Sequence, residues 1–315
     1  MPSPNAPLKI VFMGTPEFAV PSLEILLEHG FHIPAVVTAP DRPAGRGLQL
    51  RESPVKRFAR EQGLSLLQPE KLKDPRFLES LQGFGADLQV VVAFRMLPEQ
   101  VWSMPPLGTI NLHGSLLPQY RGAAPIQWAV IRGESHTGLT TFKLQHQIDT
   151  GGILFREPVQ IKEEETAGEL HDRMMHLGAR LLLKTVRAIQ EGTYELTSQS
   201  ALYDPGEMLH PAPKIHKEDC EIRWNQPLEH IHNLVRGLSP HPGAFTMLDG
   251  KQLKILRSRK HFGPRLQEPG TWYSDHKAVF RFAAQDGWLE VLELQLEGKK
   301  RMNTETFLRG YRLAV

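Results

Sequence analysis

The sequence predicts an α/β fold in which a Rossmann-like parallel sheet is followed by a small, OB-like β-barrel. Through residues 1–190, apolar runs with strand character alternate with segments of helical periodicity, which is typical of a parallel sheet covered by helices. After residue 213, short strand patterns follow one another closely, which favours a barrel. The stretch between them is rich in glycine and proline and poorly periodic. We therefore expect a first domain at 1–190, a linker at 191–213 and a second domain at 214–315.

The elements of the first domain follow from its hydrophobic patterns. Continuous apolar runs indicate buried parallel strands, because both faces of such a sheet are covered. These runs lie at residues 8–13, 33–38, 88–94 and 108–111, and the first is followed by Gly14. The spacing of apolar residues predicts helices at 21–28, 54–62 and 167–189.

The second domain is predicted from turns and alternation. Residues 248–251 include an Asp-Gly pair, which favours a hairpin turn. Strands are expected on either side of such turns, at 251–257, 278–283 and 288–294. Residues 229–238 predict a helix that enters this domain.

Composition restricts the classes of protein to which the chain can belong. The formal net charge is only +2, but residues 208–315 hold 17 Lys and Arg against 12 Asp and Glu. This bias fits either an ordinary solvated surface or a polyanionic partner. Cys220 is the only cysteine, which excludes an intrachain disulfide and a cysteine-rich metal site. The polar start lacks the hydrophobic segment of a signal peptide, and no apolar run approaches the roughly 20 residues of a membrane span, so we expect a cytoplasmic protein.

Three polar residues form the most informative pattern. Asn111 and His113 follow a predicted strand two positions apart, so their side chains lie on one face. An amide beside an imidazole can stabilise an oxyanion and move protons, and Asp149 from a second loop can orient the imidazole and support its charged form. Each residue alone is weak evidence for a functional site, since an asparagine can cap a turn and most histidines are packed or at the surface. The combination predicts a site for attack on a carbonyl carbon.

The turn at Gly14 superficially resembles a nucleotide-binding fingerprint. Gly14 is followed by Thr15, Pro16 and Glu17, and the second and third glycines of that fingerprint are missing. Pro16 and Glu17 would crowd and repel a pyrophosphate. This excludes a dinucleotide-dependent oxidoreductase despite the similar sheet.

Four segments carry a resemblance to a known family. They are residues 11–19, the basic stretch 41–47, the long stretch 111–128 and the stretch 147–152. Together they resemble the folate-dependent formyltransferases that act on methionyl-tRNA, over nearly the whole chain. The resemblance implies transfer of the formyl group of 10-formyltetrahydrofolate to the amino group of initiator methionyl-tRNA, without a metal ion. It implies that Asn111 donates to the oxyanion, that His113 shares this role and mediates proton transfer to the leaving folate nitrogen, and that Asp149 supports His113 and the proton leaving the amine.

The resemblance also implies a folate pocket. Its expected residues are Phe94, Arg95, Met96, Leu97, Ser115, Leu116, Leu117 and Pro118. Arg95 departs from the bacterial tRNA enzymes, in which the aromatic residue is usually followed by glycine. In this segment the chain instead resembles the pocket loop of glycinamide ribonucleotide formyltransferase. The backbone of Arg95 and Leu97 would bond the pterin.

The tRNA-binding residues are expected in two places. Arg42 and Arg46 lie in the basic stretch 41–47, which is either an exposed turn or a clamp on nucleic acid. Lys251, Lys254 and Arg257 belong to the clearest basic run of the second domain, which by resemblance holds the acceptor arm. We expect a monomer. The alternatives are a formyltransferase for a sugar nucleotide or another small amine and, from a different class, a non-catalytic RNA-binding protein.

Overall fold

The structure is a computed structural model that describes residues 8–44, 49–264 and 267–311. The chain forms two compact units, and it passes between them more than once. The first unit contains the described residues up to Gly122, together with Gly138–Val159 and Asp172–Pro211. The second contains Ala123–Thr137, Gln160–His171 and the described residues from Ala212 onward. The boundaries expected from the sequence, at residues 190 and 213, stay a prediction.

Up to residue 191, the described residues form fifteen α-helices and β-strands. In chain order they are β1 (Lys9–Gly14), α1 (Val20–Glu28), β2 (His32–Val37), β3 (Arg42–Ala44), β4 (Gln49–Arg51), α2 (Pro54–Glu61), β5 (Leu66–Leu67), α3 (Pro75–Gly83), β6 (Leu88–Val92), α4 (Glu99–Trp102), β7 (Thr109–His113), α5 (Pro125–Ile131), β8 (His136–Lys143), β9 (Ile153–Gln160) and α6 (Ala167–Glu191). Helices α2 and α3 each begin after a residue whose side chain caps them: Ser53 accepts a hydrogen bond from the Lys56 N–H, and Asp74 accepts one from the Arg76 N–H. No helix in the described ranges is long and apolar enough to cross a membrane.

The large sheet has the strand order β5-β2-β1-β6-β7-β8-β9. Strands β5, β2, β1, β6 and β7 run parallel, whereas β8 is antiparallel to β7. All of β6 is buried, as its continuous apolar run predicted. The Rossmann-like fold class is confirmed, with β8 as the antiparallel addition that the apolar runs did not indicate.

The register brings several strand ends to one edge of this sheet. Gly14 at the end of β1 lies opposite Val92 at the end of β6, and Val91 in β6 lies opposite Asn111 in β7. Strand β6 stops before Ala93, which has a left-handed backbone with φ of 48° and so cannot continue the pleat. Ligands of open parallel sheets bind beyond such carboxyl ends.

Gly14 is required for packing. A Cβ atom there would lie 2.7 Å from the Ala19 Cβ and 3.1 Å from the Val92 carbonyl oxygen. The close approach of the turn to Ala19 and β6 therefore explains why this position is a glycine.

The second sheet is antiparallel and forms a half-barrel, which confirms the second half of the predicted fold class. The helices and strands of this part of the chain are α7 (Leu228–Leu238), β10 (Ala244–Leu248), β11 (Lys251–Phe262), β12 (Trp272–Ser274), β13 (Phe280–Ala284), β14 (Gly287–Leu296), β15 (Met302–Asn303) and α8 (Thr304–Gly310). The strand order is β10-β11-β14-β13-β12, and β15 pairs with β14. Asp249 and Gly250 both have positive φ, 48° and 73°, so the predicted hairpin turn is confirmed.

Alternation along the strands builds the core of this unit. Leu289, Val291 and Leu294 of β14 are buried, and α7 buries Ile231 and Val235 against the same cluster. Each fully buried aliphatic side chain contributes about 1.5–3 kcal/mol relative to exposure. The helix and the strands thus share one apolar interior.

Candidate active site

Asn111 and His113 lie on one face of β7 at its carboxyl end. Asn111 is half-buried, and its side-chain amide bonds no other protein group within the described ranges. His113 is only 6% exposed and is the last residue of the strand. The predicted pairing of an amide and an imidazole on one face is therefore present in the structure.

The hydrogen bond of His113 fixes the state of its ring. Nε2 of His113 lies 2.9 Å from the backbone oxygen of Tyr120, which can only accept, so Nε2 carries the proton. In the neutral ring the lone pair is therefore on Nδ1, and Nδ1 lies 3.9 Å from Oδ2 of Asp149. The atom that can take up or release a proton faces the carboxylate.

Asp149 is held by backbone contacts in a tight loop between β8 and β9. The N–H of Gly122 donates to Oδ2 of Asp149 at 3.0 Å. Asp149 has a left-handed backbone with φ of 53°, which is uncommon for a residue other than glycine. Gly151 packs so closely on β8 that a Cβ atom would lie 1.6 Å from the Lys143 oxygen, so only glycine fits there.

These three side chains come from one strand, which carries Asn111 and His113, and from one loop, which carries Asp149. An unbonded amide, a ring nitrogen with a lone pair and a carboxylate stand together where the sheet ends. Such a set can stabilise a developing oxyanion and accept and deliver a proton. No cluster of three metal-ligating side chains occurs in the part of the chain that the structure describes.

The loop after β6 divides its side chains between interior and solvent. Leu97 is 8% exposed and belongs to the core, whereas Met96 is 73% exposed. The guanidinium of Arg95 donates to the backbone oxygens of Pro69 at 2.7 Å and Glu70 at 3.0 Å, and it lies over the Phe94 ring. Burial, and then the nearby charge of Arg42, lowers the pKa of Arg95.

The backbone of the same loop is left open. Neither the N–H nor the carbonyl group of Arg95 or Leu97 bonds another protein group among the described residues. The guanidinium of Arg95 ties the loop to the backbone of Pro69 and Glu70, while the loop's own backbone groups stay available among the described residues.

The stretch Ser115–Pro118 is mostly packed. Ser115 and Leu117 are fully buried, and Leu117 joins a cluster with Phe142 and Ile153. Thr140 of β8 donates to the Ser115 oxygen at 2.6 Å. Leu116 is half-buried and Pro118 is buried. These contacts give the stretch a fixed shape, so its contribution to a pocket comes from that shape.

Arg42 begins a two-stranded ribbon formed by β3 and β4, and its side chain is exposed. The base of the ribbon is fixed by Asp41, which accepts from Lys56 at 2.5 Å and from Gln68 at 2.9 Å. These hydrogen bonds lower the pKa of Asp41. Arg46 lies outside the described residues.

The basic residues of β11 have different surroundings. Lys251 is exposed and has no side-chain partner within the described ranges. Lys254 donates to the Pro242 oxygen at 2.7 Å. Arg257 bonds Glu169 and lies 4.0 Å from Glu293, so its charge is matched by carboxylates.

Sequence reasoning did not find the residues that connect the loops. Gln199 binds the Asp149 loop and Arg121, and the Tyr120 N–H donates to the His210 oxygen at 2.7 Å. Gln199 and His210 lie in the stretch interpreted as a linker. Their partners are mostly backbone groups, which leave no pattern in the sequence.

Comparison with known proteins identifies the group to which this chain is similar. Residues 8–186 match the family model described as formyl transferase, and residues 214–312 match the one described as formyl transferase, C-terminal domain. The methionyl-tRNA formyltransferase of Bacteroides fragilis is 50% identical over 311 residues, which cover 97% of this chain and 96% of the relative. The one from Phocaeicola vulgatus is 53% identical with the same coverage.

Solved structures share the fold at low sequence identity. The sugar 3N-formyltransferase WlaRD has a TM-score of 0.66 and 18% identity, covering 94% of this chain and all of that chain. HypX from Aquifex aeolicus in complex with tetrahydrofolic acid has a TM-score of 0.65 and 16% identity, covering 98% of this chain and 49% of that chain. These two likenesses show the fold alone. By its family match and its near-full-length relatives, the chain belongs to the methionyl-tRNA formyltransferase family.

Proposed function

We propose that this protein transfers the formyl group of 10-formyltetrahydrofolate to the amino group of methionine carried by initiator tRNA, with Asn111, His113 and Asp149 as its catalytic residues. The observation that carries the proposal is their convergence at the carboxyl end of β7. Relatives that span nearly the whole chain bear the name of this activity.

The chemistry requires an oxyanion donor and a route for two protons. The amine nitrogen bonds the formyl carbon, the bond from that carbon to the folate nitrogen breaks, the amine loses a proton and the folate nitrogen gains one. The unbonded Asn111 amide donates to the oxygen as charge develops on it. Loss of one such donor typically costs about 100- to 1000-fold in rate.

The tautomer of His113 assigns the proton transfer to Nδ1. Because Nε2 is held by the Tyr120 oxygen, only Nδ1 can exchange a proton with the substrates. The imidazolium that forms faces Asp149 at 3.9 Å, and the carboxylate stabilises this charged form. Asp149 is itself oriented by the Gly122 N–H at 3.0 Å, and among the described residues no Lys or Arg forms an ion pair with it.

The loop after β6 suits the folate donor. A pterin ring presents hydrogen-bonding edges, and the open N–H and carbonyl groups of Arg95 and Leu97 can bond them. Phe94, which is half-buried, and the exposed Met96 supply apolar surface beside those groups. We assign the second side of the folate site to Ser115, Leu116, Leu117 and Pro118, whose packing gives them a fixed shape.

Positive side chains on each unit are candidates for contact with the tRNA. We assign Arg42, at the ribbon base, and Arg46 to the acceptor end, where arginine bonds phosphates or stacks on bases. On the second unit we assign Lys251 and Lys254, with Arg257 as the member whose charge is already matched. We also assign the formyl transfer to residues 1–190 and tRNA binding to 214–315, in a cytoplasmic monomer.

A formylation assay with alternative acceptors tests the proposal. The protein is incubated with 10-formyltetrahydrofolate labelled in the formyl group and with initiator methionyl-tRNA, an amino-sugar nucleotide or glycinamide ribonucleotide. Rapid labelling of the charged tRNA alone is the expected result. Labelling of a small amine in preference to the tRNA would replace the proposed acceptor, and labelling of none would remove the enzymatic function.

A further inference from the structure

Gln199 occupies a buried position beside the catalytic loops. It is 3% exposed and begins a short helical turn, Gln199–Ala201. Its place is fixed by Thr197, which pairs with Ile153 through two backbone hydrogen bonds of 2.8 and 2.9 Å. A stretch with the composition of a linker is therefore joined to β9 at the point where the Asp149 loop ends.

The side-chain amide of Gln199 uses its whole hydrogen-bonding capacity. Nε2 donates to the backbone oxygen of Asp149 at 2.8 Å and to that of Gly151 at 3.0 Å. Oε1 accepts from Nε of Arg121 at 3.1 Å and from Nη2 at 2.6 Å. Two donors and two acceptor positions are the most that an amide offers.

These bonds close a ring around the catalytic carboxylate. Arg121 is followed by Gly122, whose N–H donates to Oδ2 of Asp149. The ring runs from the Asp149 carboxylate through Gly122, the Arg121 side chain and the Gln199 amide back to the Asp149 carbonyl. One loop supplies the carboxylate, the other supplies the N–H that orients it, and Gln199 ties the two together.

The backbone of Asp149 needs such support. A left-handed conformation at a non-glycine residue persists only when its surroundings hold it. The two hydrogen bonds from Gln199 restrain the carbonyl groups of Asp149 and Gly151, which lie on either side of Thr150 in the loop. Without them the loop can relax toward an ordinary backbone conformation, and the carboxylate would then leave the Gly122 N–H and His113.

We propose that Gln199 is a positioning residue for formyl transfer, because its amide holds the Asp149 loop in the conformation that directs the carboxylate at His113. The inference rests on the proposed function. A positioning role and a packing role can be distinguished by measurement. Loss of a residue that only packs lowers the stability of the fold, whereas loss of a positioning residue changes the rate and the pH dependence of the enzyme that is folded.

The test compares two buried glutamines. Gln199→Met keeps the length of the side chain and removes all four hydrogen bonds. Gln89→Met is the matched control, since Gln89 is 1% exposed in β6 of the same unit and its Oε1 accepts from Thr109 at 3.1 Å, near the amino end of the strand. For each variant, melting temperature, kcat, KM for both substrates and the pH dependence of kcat are measured.

We expect kcat of Gln199→Met to fall about 10- to 100-fold, since misplacement of a reacting group by about 1 Å can cost 100-fold. The KM values should change less than threefold, and the acidic limb of the pH–rate profile should move. Gln89→Met should lower the melting temperature while kcat and the profile stay as in the wild type. Equal kcat and profile in the two variants would overturn the inference.

A second variant covers the case in which Gln199→Met does not fold. Arg121→Met removes the other end of the ring from a half-buried position, and it should lower kcat and move the profile in the same direction. An Arg121→Met enzyme with wild-type kcat and profile would overturn the inference. A wild-type protein that formylates no tRNA would instead refute the proposed function itself, and the inference with it.

Discussion

The two most informative buried histidines of this protein lie in contrasting surroundings. His113, 6% exposed, ends β7 in the strand-end site formed with Asn111 and Asp149. His232, 2% exposed, lies on α7 in a charged cluster with Lys260, Arg236 and Glu164. His113 faces a carboxylate that has no Lys or Arg partner among the described residues. Of the two cations near His232, Lys260 pairs with Glu229, and Arg236 bonds the Asn233 side chain and the backbone oxygen of Glu165.

The two surroundings suit different forms of the same side chain, a charged ring at His113 and a neutral ring at His232. Burial, and then the charges of Lys260 and Arg236, lowers the pKa of His232 to about 4. Glu164 lies 3.5 Å from its Nε2, but that carboxylate is 63% exposed and is therefore screened, so burial prevails and the ring stays neutral. His232 thus packs as a neutral ring that bonds Ser258 at 3.0 Å, whereas His113 has a carboxylate placed to support its charged form.

The largest effect expected from this comparison is on His113. His113→Asn keeps a polar side chain but removes Nδ1, the atom proposed to transfer the proton, so kcat should fall about 100- to 10,000-fold, the usual contribution of a general acid or base. The pH dependence of kcat is measured for the residual activity. The acidic limb of the wild-type profile should disappear, and a variant with the same limb would show that another group titrates.

His232 should instead control stability in acid. The unfolded chain binds a proton on this ring below about pH 6.5, whereas the folded chain resists it down to about pH 4, so stability is lost as the pH falls through that window. The slope attributable to one proton is roughly 1.4 kcal/mol per pH unit. Urea unfolding at several pH values should show this slope in the wild type and a smaller one in His232→Gln. Parallel curves would exclude His232 as the source, and formylation at neutral pH should differ little.

Some elements of the fold could be predicted from the sequence and others could not. The strands rich in Val and Ile and the hairpin at Asp249 and Gly250 were predicted, because burial on both faces and left-handed turns each restrict residue choice. Strand β8 was not, since its buried positions include Thr140 and Thr141 in place of large apolar residues. Gly138 in β8 is needed because a Cβ would lie 2.4 Å from Leu116, a reason that depends on tertiary packing.

The candidate site shows the same division. The side chains proposed as catalytic stand near strand ends with recognisable neighbours, so Asn111, His113 and Asp149 could be selected as candidates from the sequence. The groups that orient them are the Tyr120 oxygen, the Gly122 N–H and the Gln199 amide. A backbone oxygen occurs in every residue and a backbone N–H in every residue except proline, so neither marks a position in the sequence. Gln199 is 50 positions from Asp149 along the chain. No local pattern could reveal them.

Arg42 tests whether the first unit contacts the tRNA. Arg42→Ala should lower kcat/KM for charged tRNA about tenfold and leave folate binding unchanged, because its exposed guanidinium is free to meet phosphate or a base. Arg76→Ala is the control, since Arg76 is also exposed, at 94%, and pairs only distantly with Asp74. Equal tRNA kinetics in the two variants would remove Arg42 from the interface.

The smallest effect should distinguish two basic residues of β11. Lys251→Ala should reduce the salt dependence of tRNA binding by about one counterion, because its charge is unmatched within the described ranges. Arg257→Ala should change the salt dependence less, since Glu169 and Glu293 already face that charge. Binding is measured at several salt concentrations. If Arg257→Ala reduced the salt dependence of tRNA binding more than Lys251→Ala did, Arg257 and not Lys251 would be the residue that contacts phosphate.

The most direct test of the central claim is the rate of a single turnover in Asp149→Asn. The amide keeps the shape of the carboxylate and can still accept the Gly122 N–H, but it cannot support a charged His113. With donor and charged tRNA both bound, the rate of formyl transfer should fall about 1000-fold, within the range of general acid and base catalysis. The dissociation constants of both substrates should change less than threefold. A single-turnover rate close to that of the wild type would contradict the catalytic role of Asp149 and the site built around it.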